Sequence, residues 1–574
     1  MNPSTAFART VVDELLRHGV SEAVLSPGSR SAPLAYALQE ADRVGRLRLH
    51  VRVDERSAAF LALGLAKTTR VPVPVVVTSG TAVANLHPAV LEASHAQVPM
   101  LILSADRPPE LRGTGANQTT DQVQFFGAAA RWFHDFGTPD ERPGQESVWR
   151  SVIVRAVAHA RGFPAGDAGP VHLNVPLREP LVPGEDQDPG VSGGRTGGAP
   201  WSVVEPAEST SAATIEAVPR TLAVLGDLPD AAQAAQFAEL ADAAGWPLIA
   251  EPFGSFHRVR VLPHGPLILQ ATDWVQAHRP ERVLVGGRLT LDRGLARLMR
   301  DAAVGVEIVS SGSSWADPSN AARRIHPWAA LDASRNAVAG CVDRDWADDW
   351  RAAGVRLATA ATEVIDRSWP SGLAVARTVA HALPVGAGLF VGSSSAARYL
   401  DLGRDAAQVA RGVVSVANRG LAGIDGSIST ALGFALSRGD QPAVALMGDL
   451  TFAHDANGLL IGPGEPRPNL TIVVLNDDGG GIFGTLEPGS GPARSSVMSE
   501  AAYERVFGTA TGVSIAGLSS AHGISHEIVA DPEVLRQRIA DPAQGIRVLE
   551  VRLDRARQRA LQEQLFAVTG DALT

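Results

Sequence analysis

Short apolar runs alternate with stretches of helical spacing in the first third of the chain. Glu22 to Leu25, Val73 to Thr78 and Met100 to Ala105 are apolar runs that predict buried strands. A helix that Ser4 or Thr5 can cap precedes the first of them. Because strands that alternate with helices form βαβ units, this part of the sequence predicts a parallel sheet.

The same alternation returns twice after a break in composition. Residues 183–199 are rich in Gly, Pro, Asp and Ser and have no hydrophobic period, which is typical of a linker. Apolar strands follow at Thr221 to Leu225, Arg282 to Gly286, Leu389 to Val391, Val413 to Val416, Ala443 to Met447, Leu470 to Leu475 and Val548 to Val551. We therefore predict an α/β protein of three doubly wound parallel-sheet domains, at residues 1–182, 200–366 and 370–574.

Composition narrows the classes of partner. The chain has 574 residues, a formal net charge of -10 and a pI of about 5.9, which argues against nucleic acid, since binding phosphates needs a basic surface. Its single cysteine excludes an intrachain disulfide. No apolar run reaches the ~18 residues of a membrane helix, and Asp13 and Glu14 stand where a signal peptide would be apolar. The sequence therefore predicts a cytoplasmic protein without membrane insertion.

Two acidic positions each follow an apolar strand in the last third. Asp449 lies in Gly448-Asp449-Leu450, and 25 residues separate Leu450 from Asn476-Asp477. Because ligands of parallel sheets sit beyond the carboxyl ends of strands, Asp449 and Asp477 are expected to face one crevice. Two carboxylates, a backbone carbonyl, phosphate oxygens and water make an octahedral Mg²⁺ site, and a helix beginning near Phe452 offers N–H groups to a phosphate. The alternative is two ordinary acidic turns at strand ends.

This spacing resembles the fingerprint of thiamine-diphosphate enzymes, a GDG-type turn followed at a similar distance by a double Asn. Here Leu450 replaces the last Gly, and Asp477 replaces the second Asn. The resemblance implies a thiamine-diphosphate-binding fold that uses thiamine diphosphate and Mg²⁺, with Mn²⁺ as the alternative ion. It implies that Asp449, Asp477 and the carbonyl of Gly479 bind the metal, and that Gly448 and Leu450 contact the cofactor.

The resemblance also requires a glutamate in the first third. In this superfamily a buried glutamate protonates the aminopyrimidine ring of the cofactor, which then removes the thiazolium proton. Glu55 fits, because it opens a predicted helix of small and apolar residues that runs to Ala66. The alternative is a carboxylate that merely interacts with the helix dipole. Since superfamily members combine this glutamate with the diphosphate site of another subunit, a homodimer or homotetramer with active sites at the subunit interface is implied.

Several longer strings resemble one family within this superfamily, the 2-succinyl-5-enolpyruvyl-6-hydroxy-3-cyclohexene-1-carboxylate synthases of menaquinone biosynthesis. The strings are Ser26 to Leu34, Thr78 to Asn85, Ala105 to Leu111, Gly115 to Gln118, Ala417 to Gly420, Gly423 to Gly426 and Gly480 to Phe483. The resemblance covers the first and last thirds and is weak in the middle. It implies decarboxylation of 2-oxoglutarate and addition of the remaining unit to isochorismate.

The family pattern assigns roles to individual positions. It implies that Arg398 and Arg419 bind the group derived from 2-oxoglutarate, with Ser394 beside this group and the cofactor. Arginine suits bidentate carboxylate binding. Ile424 matches an apolar wedge that holds the cofactor bent. The positions that match isochorismate-binding residues are Ser29, Arg30, Arg107, Asn117 and Gln118, and those that match apolar walls are Phe483 and Leu486.

The middle segment departs from this pattern at one place. A Lys-Arg pair expected near a carboxylate of isochorismate aligns with Asp292-Arg293. Arg293 keeps the substrate-binding role in this interpretation, whereas Asp292 cannot replace a lysine. Arg288 is an alternative source of the missing positive charge.

Other classes of protein fit less well. An acetolactate synthase or a 2-oxo acid decarboxylase would bind monoacids and need fewer arginines, and the former would add a flavin site for which the middle segment has no glycine fingerprint. A cofactor-binding regulator without catalysis would not need Glu55, Asp449 and Asp477 together. An NAD dehydrogenase needs G-x-G-x-x-G after the first strand, which Ser26 to Ser31 does not supply.

Overall fold

Three β-sheets organise the chain, as the alternation of strands and helices predicts. The computed structural model describes residues 2–184, 193–207, 213–489 and 496–573. The chain divides into two units, one of Met1–Glu208, Gly420–Gly439 and Asp455–Arg467 and the other of Ser209–Arg419, Asp440–His454 and Pro468–Thr574. The α/β class with parallel-dominated sheets is confirmed, and the three predicted domain boundaries stay predictions.

The sheet of the first unit has six parallel strands in the order β2-β1-β3-β4-β6-β5. The strands are β1 Glu22–Leu25, β2 Arg48–Val51, β3 Val73–Val77, β4 Met100–Asp106, β5 Trp132–Asp135 and β6 Pro170–Pro176. Every residue of β3, β4 and β6 is buried, which explains why continuous apolar runs, and not alternation, mark these central strands in the sequence.

The helices before and between these strands are α1 Pro3–Arg17, α2 Ala32–Arg43, α3 Glu55–Thr69, α4 Thr81–Ala84, α5 His87–His95 and α6 Gln145–Arg161. The predicted cap of α1 is wrong. The helix begins at Pro3, so the capping residue is Asn2, whose Oδ1 accepts a hydrogen bond from Thr5 N at 2.9 Å. Ser4 lies inside the helix, and its hydroxyl donates instead to the carbonyl of Arg178 at 2.8 Å.

Two helices of the first unit approach each other through glycines. α3 packs against Ser427–Ser437, which we number α15 in chain order. A Cβ on Gly64 would lie 2.2 Å from the carbonyl oxygen of Thr430, and one on Gly433 would lie 2.1 Å from that of Leu61. Only residues without side chains permit this separation, so the glycines fix how closely the helix that begins at Glu55 meets its neighbour.

The second unit contains a five-stranded parallel sheet in the order β12-β11-β10-β7-β8 and a seven-stranded sheet in the order β17-β18-β16-β15-β13-β14-β9. The strands are β7 Thr221–Leu225, β8 Leu248–Ala250, β9 Gly254–Ser255, β10 Arg282–Gly286, β11 Gly305–Ser310, β12 Ala322–Pro327, β13 Gly388–Val391, β14 Val414–Ala417, β15 Ala443–Gly448, β16 Leu470–Asn476, β17 Ser525–Ile528 and β18 Ile546–Arg552. In the seven-stranded sheet, β9 runs antiparallel to β14, whereas the other described strand pairs are parallel.

The helices of the second unit cover both sheets. They are α7 Ala234–Ala244, α8 Gly265–Ile268, α9 Thr272–Ala277, α10 Arg293–Met299, α11 Ala330–Val338, α12 Arg344–Asp366, α13 Gly372–Ala382, α14 Ser395–Gly403, α16 Asp449–His454, α17 Gly481–Thr485, α18 Glu500–Tyr503, α19 Ile515–Ala521, α20 Pro532–Ala540 and α21 Arg557–Leu573. One continuous apolar core includes residues from both sheets, with Trp350 of α12 fully buried in it.

The sequence also predicts a linker at residues 183–199 and no membrane helix. Residues 185–192 of the predicted linker lie outside the described residues, and Thr196–Gly198 form a short 3₁₀ turn. Within the described ranges, no helix is both long enough and apolar enough to cross a membrane.

Candidate active site

Two carboxylates of the second unit lie at the ends of neighbouring strands. Asp449 directly follows β15, and Asp477 directly follows β16. These strands pair in parallel, with Gly448 opposite Leu475. Since both strands end at the same edge of the sheet, the structure brings the two side chains together at the place where the sequence puts a metal site.

Burial and repulsion dominate the electrostatics of this pair. Burial raises the pKa of Asp449 to about 6, although its Oδ2 accepts a hydrogen bond from Gly479 N at 2.9 Å. Burial, and then the charge of Asp449, raises the pKa of Asp477 to about 7. Two neighbouring carboxylates in a buried place are unfavourable unless a cation neutralises them. The pair therefore has the charge and the oxygen atoms that suit a divalent ion.

The backbone around the pair is built by glycine and by a short helix. Gly479 has a φ of +144°, and a Cβ there would lie 2.1 Å from the carbonyl oxygen of Gly508, so no side chain fits. The expected start of the next helix near Phe452 is wrong, because α16 begins at Asp449 itself. An acidic residue is favourable in the first turn of a helix. Gly448 and Leu450, on either side, are both partly exposed.

The start of α14 carries two of the predicted residues. Ser394 has a φ of +70°, which is unusual for a residue with a side chain. Its carbonyl accepts a hydrogen bond from Nη1 of Arg398, one turn further along, at 2.9 Å. Strain of this kind tends to occur at functional sites, and the place of Ser394 beside a ligand stays a prediction.

Three arginines of the second unit face one region. Burial, followed by the positive charges of Arg419 and Arg293, lowers the pKa of Arg398. Arg293, Arg398 and Leu486 line a pocket of about 260 Å³ that Asp292 and Asp401 also line. Among the described residues, none of the three arginines has a carboxylate within 4.0 Å. Phe483, the other predicted wall, packs against Phe507 with ring centroids 5.4 Å apart.

Asp292 serves the fold of the middle segment. It caps α10, and its Oδ1 accepts hydrogen bonds from Gly294 N at 2.6 Å and Leu295 N at 3.2 Å. Its Oδ2 is buried without a hydrogen-bond partner, and burial raises its pKa to about 6. Arg288, the alternative source of positive charge, donates from Nη1 to the carbonyl of Arg419 at 3.2 Å.

Glu55 is the first residue of α3, as the sequence indicates, but it is only half-buried. Its position explains the difference, because the burial of α3 begins two residues later, at Ser57. The helix start is held by Asp54, whose Oδ2 accepts a hydrogen bond from Asn457 Nδ2 at 2.8 Å. The Glu55 carboxylate accepts a long hydrogen bond from Asn85 Nδ2, which lies 3.5 Å from Oε2.

The predicted isochorismate residues lie in the first unit and fall into two groups. Arg107 donates to the hydroxyl of Ser79, which in turn donates to the carbonyl of Gln118 at 2.8 Å. Burial and then the charge of Arg30 lower the pKa of Arg107, so these two arginines are close. Ser29 and Asn117 are exposed, and within the part of the chain that the structure describes neither side chain makes a hydrogen bond. The structure thus brings Arg30, Arg107 and Gln118 together, whereas Ser29 and Asn117, although exposed like Gln118, are not hydrogen-bonded to this group.

Ile424 lies in the loop before α15 and is half-buried. Its carbonyl accepts a hydrogen bond from the hydroxyl of Ser427 at 3.0 Å. The start of this loop is held by Glu92, whose carboxylate accepts from Gly420 N at 2.8 Å and Leu421 N at 2.7 Å. Sequence reasoning missed this buried glutamate, because it lies on the helix α5 and carries no motif of its own.

A second buried glutamate was also missed, although a signal for it exists. Glu251 directly follows β8, at the carboxyl end of a parallel strand, which is where ligand-binding residues of open sheets occur. Its carboxylate accepts hydrogen bonds from Thr290 and Leu291. Burial raises its pKa to about 7.

Comparison with known proteins agrees with this geometry. Residues 5–125 match the family model of the thiamine pyrophosphate enzyme, N-terminal TPP binding domain, and residues 393–551 match that of the C-terminal TPP binding domain. The first range includes Glu55, and the second includes Asp449 and Asp477. The chain is thus an enzyme of the thiamine-diphosphate-dependent class.

Full-length relatives narrow this class. Proteins named 2-succinyl-5-enolpyruvyl-6-hydroxy-3-cyclohexene-1-carboxylate synthase are similar to it in Saccharopolyspora erythraea (46% identical over 585 residues, 100% of both chains), Kineococcus radiotolerans (46% over 587 residues, 100% of both chains) and Rhodococcus opacus (45% over 575 residues, 99% of this chain and 100% of the relative). The chain belongs to the family of 2-succinyl-5-enolpyruvyl-6-hydroxy-3-cyclohexene-1-carboxylate synthases, which confirms the family that its motifs indicated.

Proposed function

We propose that this enzyme decarboxylates 2-oxoglutarate and adds the remaining unit to isochorismate, giving 2-succinyl-5-enolpyruvyl-6-hydroxy-3-cyclohexene-1-carboxylate and CO₂ in menaquinone biosynthesis. The bond between the carboxyl carbon and the 2-oxo carbon of 2-oxoglutarate breaks, and the 2-oxo carbon forms a bond to the ring alkene of isochorismate. The product named in its full-length relatives supports this reaction.

The observation that carries the proposal is the group of Arg293, Arg398 and Arg419. The positive charges of Arg293 and Arg419 both act on Arg398, and none of the three arginines has an ion-pair partner among the described residues, which favours an anionic ligand with more than one carboxylate. In the proposal Arg398 and Arg419 bind 2-oxoglutarate, with Ser394 beside it and Phe483 and Leu486 as apolar walls.

Residues of the first and last thirds of the chain suit the cofactor. When bound, thiamine diphosphate supplies the nucleophilic carbon and accepts the electrons that decarboxylation releases. Glu55 would hold a proton at the aminopyrimidine nitrogen. Asp449, Asp477 and the carbonyl of Gly479 would hold Mg²⁺, with Mn²⁺ as the alternative. The described residues contain no group of three or more His, Cys, Asp or Glu that could bind a metal, so phosphate oxygens and water would complete the site.

The remaining assignments follow the family pattern. Arg30, Arg107 and Gln118, which lie together, would bind isochorismate, and Ser29, Asn117 and Arg293 would complete its site. Ile424, Gly448 and Leu450 would contact the cofactor. We further propose a homodimer or homotetramer in which Glu55 of one subunit meets Asp449 and Asp477 of another. A cytoplasmic location and the absence of nucleic-acid partners stay predictions from the sequence.

A substrate panel tests the reaction. The purified protein, with thiamine diphosphate and Mg²⁺, receives 2-oxoglutarate or pyruvate, each with and without isochorismate, and CO₂ release and the mass of the products are measured. Consumption of isochorismate is expected with 2-oxoglutarate and not with pyruvate. Rapid decarboxylation of pyruvate would overturn the proposal in favour of a 2-oxo acid decarboxylase or an acetolactate synthase. Omitting the metal, or treating the protein with EDTA, is expected to abolish turnover.

A further inference from the structure

Glu251 is a buried carboxylate outside the set of residues that the motifs identify. It is 6% exposed, and no arginine, lysine or histidine of the described residues lies within 4.0 Å of it. Its Oε1 accepts hydrogen bonds from Thr290 N at 2.6 Å and Leu291 N at 2.8 Å, and its Oε2 accepts one from Thr290 Oγ1 at 3.0 Å. Burying a carboxylate is unfavourable, and these bonds direct its acceptor atoms to a single loop.

The hydroxyl of Thr290 connects this carboxylate to an arginine. A threonine hydroxyl has one hydrogen and two lone pairs. Because its hydrogen points to Glu251 Oε2, its lone pairs are left to accept, and Arg419 Nε donates to Oγ1 at 3.1 Å. Arg419 Nη2 also donates to the carbonyl of Thr290, at 3.4 Å. Two bonds therefore hold the same edge of the guanidinium against one residue.

The remaining side of Arg419 is directed away from this loop. A guanidinium has five N–H donors, of which Thr290 takes two, so about three remain for a ligand at the Nη1–Nη2 end. Arg419 as a residue is 4% exposed, and its guanidinium carbon lies 5.9 Å from the ring centroid of Phe253. Because it is buried and held on one edge, the arginine is preorganised for bidentate binding of a planar carboxylate.

The charges of the neighbouring arginines also favour a carboxylate at position 251. Arg293 and Arg419 each repel Arg398. The charge of Arg419 favours the carboxylate form of Glu251, and Glu251 in turn stabilises the charge of Arg398. Glu251 therefore offsets part of the repulsion from behind Arg419, without occupying the donors that face a ligand.

We propose that Glu251 and Thr290 are positioning residues that fix the guanidinium of Arg419 for a carboxylate of the 2-oxo acid substrate. Neither side chain needs to touch the substrate. The inference rests on the proposed function, in which Arg419 binds 2-oxoglutarate, and it adds the reason why Arg419 adopts one orientation.

A matched pair of variants at Thr290 tests this. Thr290→Val keeps the shape and removes the hydroxyl, whereas Thr290→Ser keeps the hydroxyl. Because a hydrogen bond to a charged group is lost, Thr290→Val is expected to raise KM for 2-oxoglutarate about tenfold to a hundredfold. The change in kcat should be smaller, because the bond positions a binding group. Thr290→Ser should restore KM to within about threefold of the native value.

Two further readouts separate positioning from a general structural role. KM for isochorismate and the Kd of thiamine diphosphate should stay unchanged in Thr290→Val, since neither ligand is assigned to Arg419. Glu251→Gln, which replaces the accepting Oε2 by a donating NH₂, should raise KM for 2-oxoglutarate by at least about threefold. This second variant keeps the inference testable if Thr290→Val lowers the melting temperature too far for assay.

Arg419→Ala separates a failure of the positioning role from a failure of the proposed function. If Arg419→Ala has the native KM for 2-oxoglutarate, the assignment of Arg419 under the proposed function is wrong. If Arg419→Ala is impaired while Thr290→Val and Glu251→Gln are not, the proposed function stands and the positioning role is overturned. Equal losses for 2-oxoglutarate, isochorismate and thiamine diphosphate in Thr290→Val would likewise overturn it, because they would indicate general misfolding.

Discussion

Single residues at this site are held in states that a free chain would not adopt. Asp449 and Asp477 share one strand-end crevice, where burial raises the pKa of both and the charge of Asp449 further raises that of Asp477. Ser394 has a left-handed backbone. Each of these states is unfavourable by itself, and such states persist where the surrounding structure enforces them and a ligand uses them.

Glu55→Gln replaces the carboxyl group at the start of α3 by an amide of about the same size. Turnover is expected to fall by about 10²–10⁴, the usual contribution of a positioned proton-transfer group, whereas thiamine diphosphate should still bind, as measured by calorimetry. Glu40→Gln, at an exposed carboxylate paired with Arg43, is the control and should change turnover by less than about twofold. Native turnover in Glu55→Gln would remove Glu55 from the mechanism.

The burial of His172 is expected to make the stability of the folded protein depend on pH. Burial lowers its pKa to about 4, and the ring lies with Nε2 2.8 Å from Ser104 Oγ. An unfolded histidine has a pKa of about 6.5, so between about pH 6.5 and pH 4 the unfolded chain binds a proton that the folded chain does not. Stability is therefore complete above pH 6.5 and is lost as the pH falls towards 4, by up to about 3 kcal/mol for this residue.

The comparison of His172→Gln with the native protein measures this effect. The urea midpoint of the variant should fall less between pH 7.5 and pH 5 than that of the native protein. His257→Gln, at an exposed histidine, should leave the native slope unchanged. Parallel slopes for the native protein and His172→Gln would contradict the assigned role of burial.

The sequence predicts some of these residues and not others for a physical reason. Asp449 and Asp477 could be paired because each directly follows an apolar strand, and strand ends are visible in the hydrophobic pattern. The contact of Glu251 with Thr290 joins positions 39 residues apart, within the segment where the family resemblance is weak. No local pattern reports which loop a buried carboxylate will meet.

At the scale of elements, the close packing of α3 against α15 outweighs the helix propensity of single residues. Gly64→Ala would gain up to about 1 kcal/mol of helix propensity. The added Cβ would lie 2.2 Å from the carbonyl oxygen of Thr430, and overpacking of this kind costs about 1–3 kcal/mol. The variant is therefore expected to be less stable, with a lower melting temperature.

Gly137→Ala is the control for this substitution, because no heavy atom lies within 4 Å of a Cβ built there and its φ is not positive. Its melting temperature should equal that of the native protein within about 2 °C. A native melting temperature in Gly64→Ala would mean that the two helices separate without cost and that their close approach does not fix α3.

Element bounds were predictable where burial is continuous. The central strands β3, β4, β15 and β16 lie within one residue of the apolar runs that predict them. The two-residue strand β9 was not predictable, because two residues have no period. Helix starts were less certain, since capping depends on which polar side chain reaches a backbone N–H, and this distinguishes Asn2 from Ser4.

At the scale of the whole molecule, the proposed sharing of each active site between two subunits gives the sharpest prediction. Glu55→Gln and Asp449→Asn, each nearly inactive alone, can be co-expressed with different tags and isolated as a mixed assembly. If each active site combines Glu55 of one chain with Asp449 of another, one site of each dimer keeps both native residues. About half of the native activity per dimer is then expected.

The alternative gives a different result in the same experiment. If Glu55 and Asp449 of one chain form a site, every site of the mixed assembly carries one of the two changes, and activity stays at the level of the separate variants. Co-expressed native chains with both tags are the control. Light scattering of the native protein measures its oligomeric state, for which a dimer or a tetramer is proposed.

The antiparallel strand β9 has a consequence for how the last third can be handled. Gly254 and Ser255 lie against Ser415 and Val414 of β14, and Arg404 Nη2 donates to the carbonyl of Ala250 at 2.6 Å. Expressed without the middle segment, the last third would leave the backbone N–H and C=O groups of β14 uncovered along a sheet margin, a template on which other chains can add. Fragments that begin after residue 370 should consequently self-associate, and fragments that retain the middle segment should self-associate less.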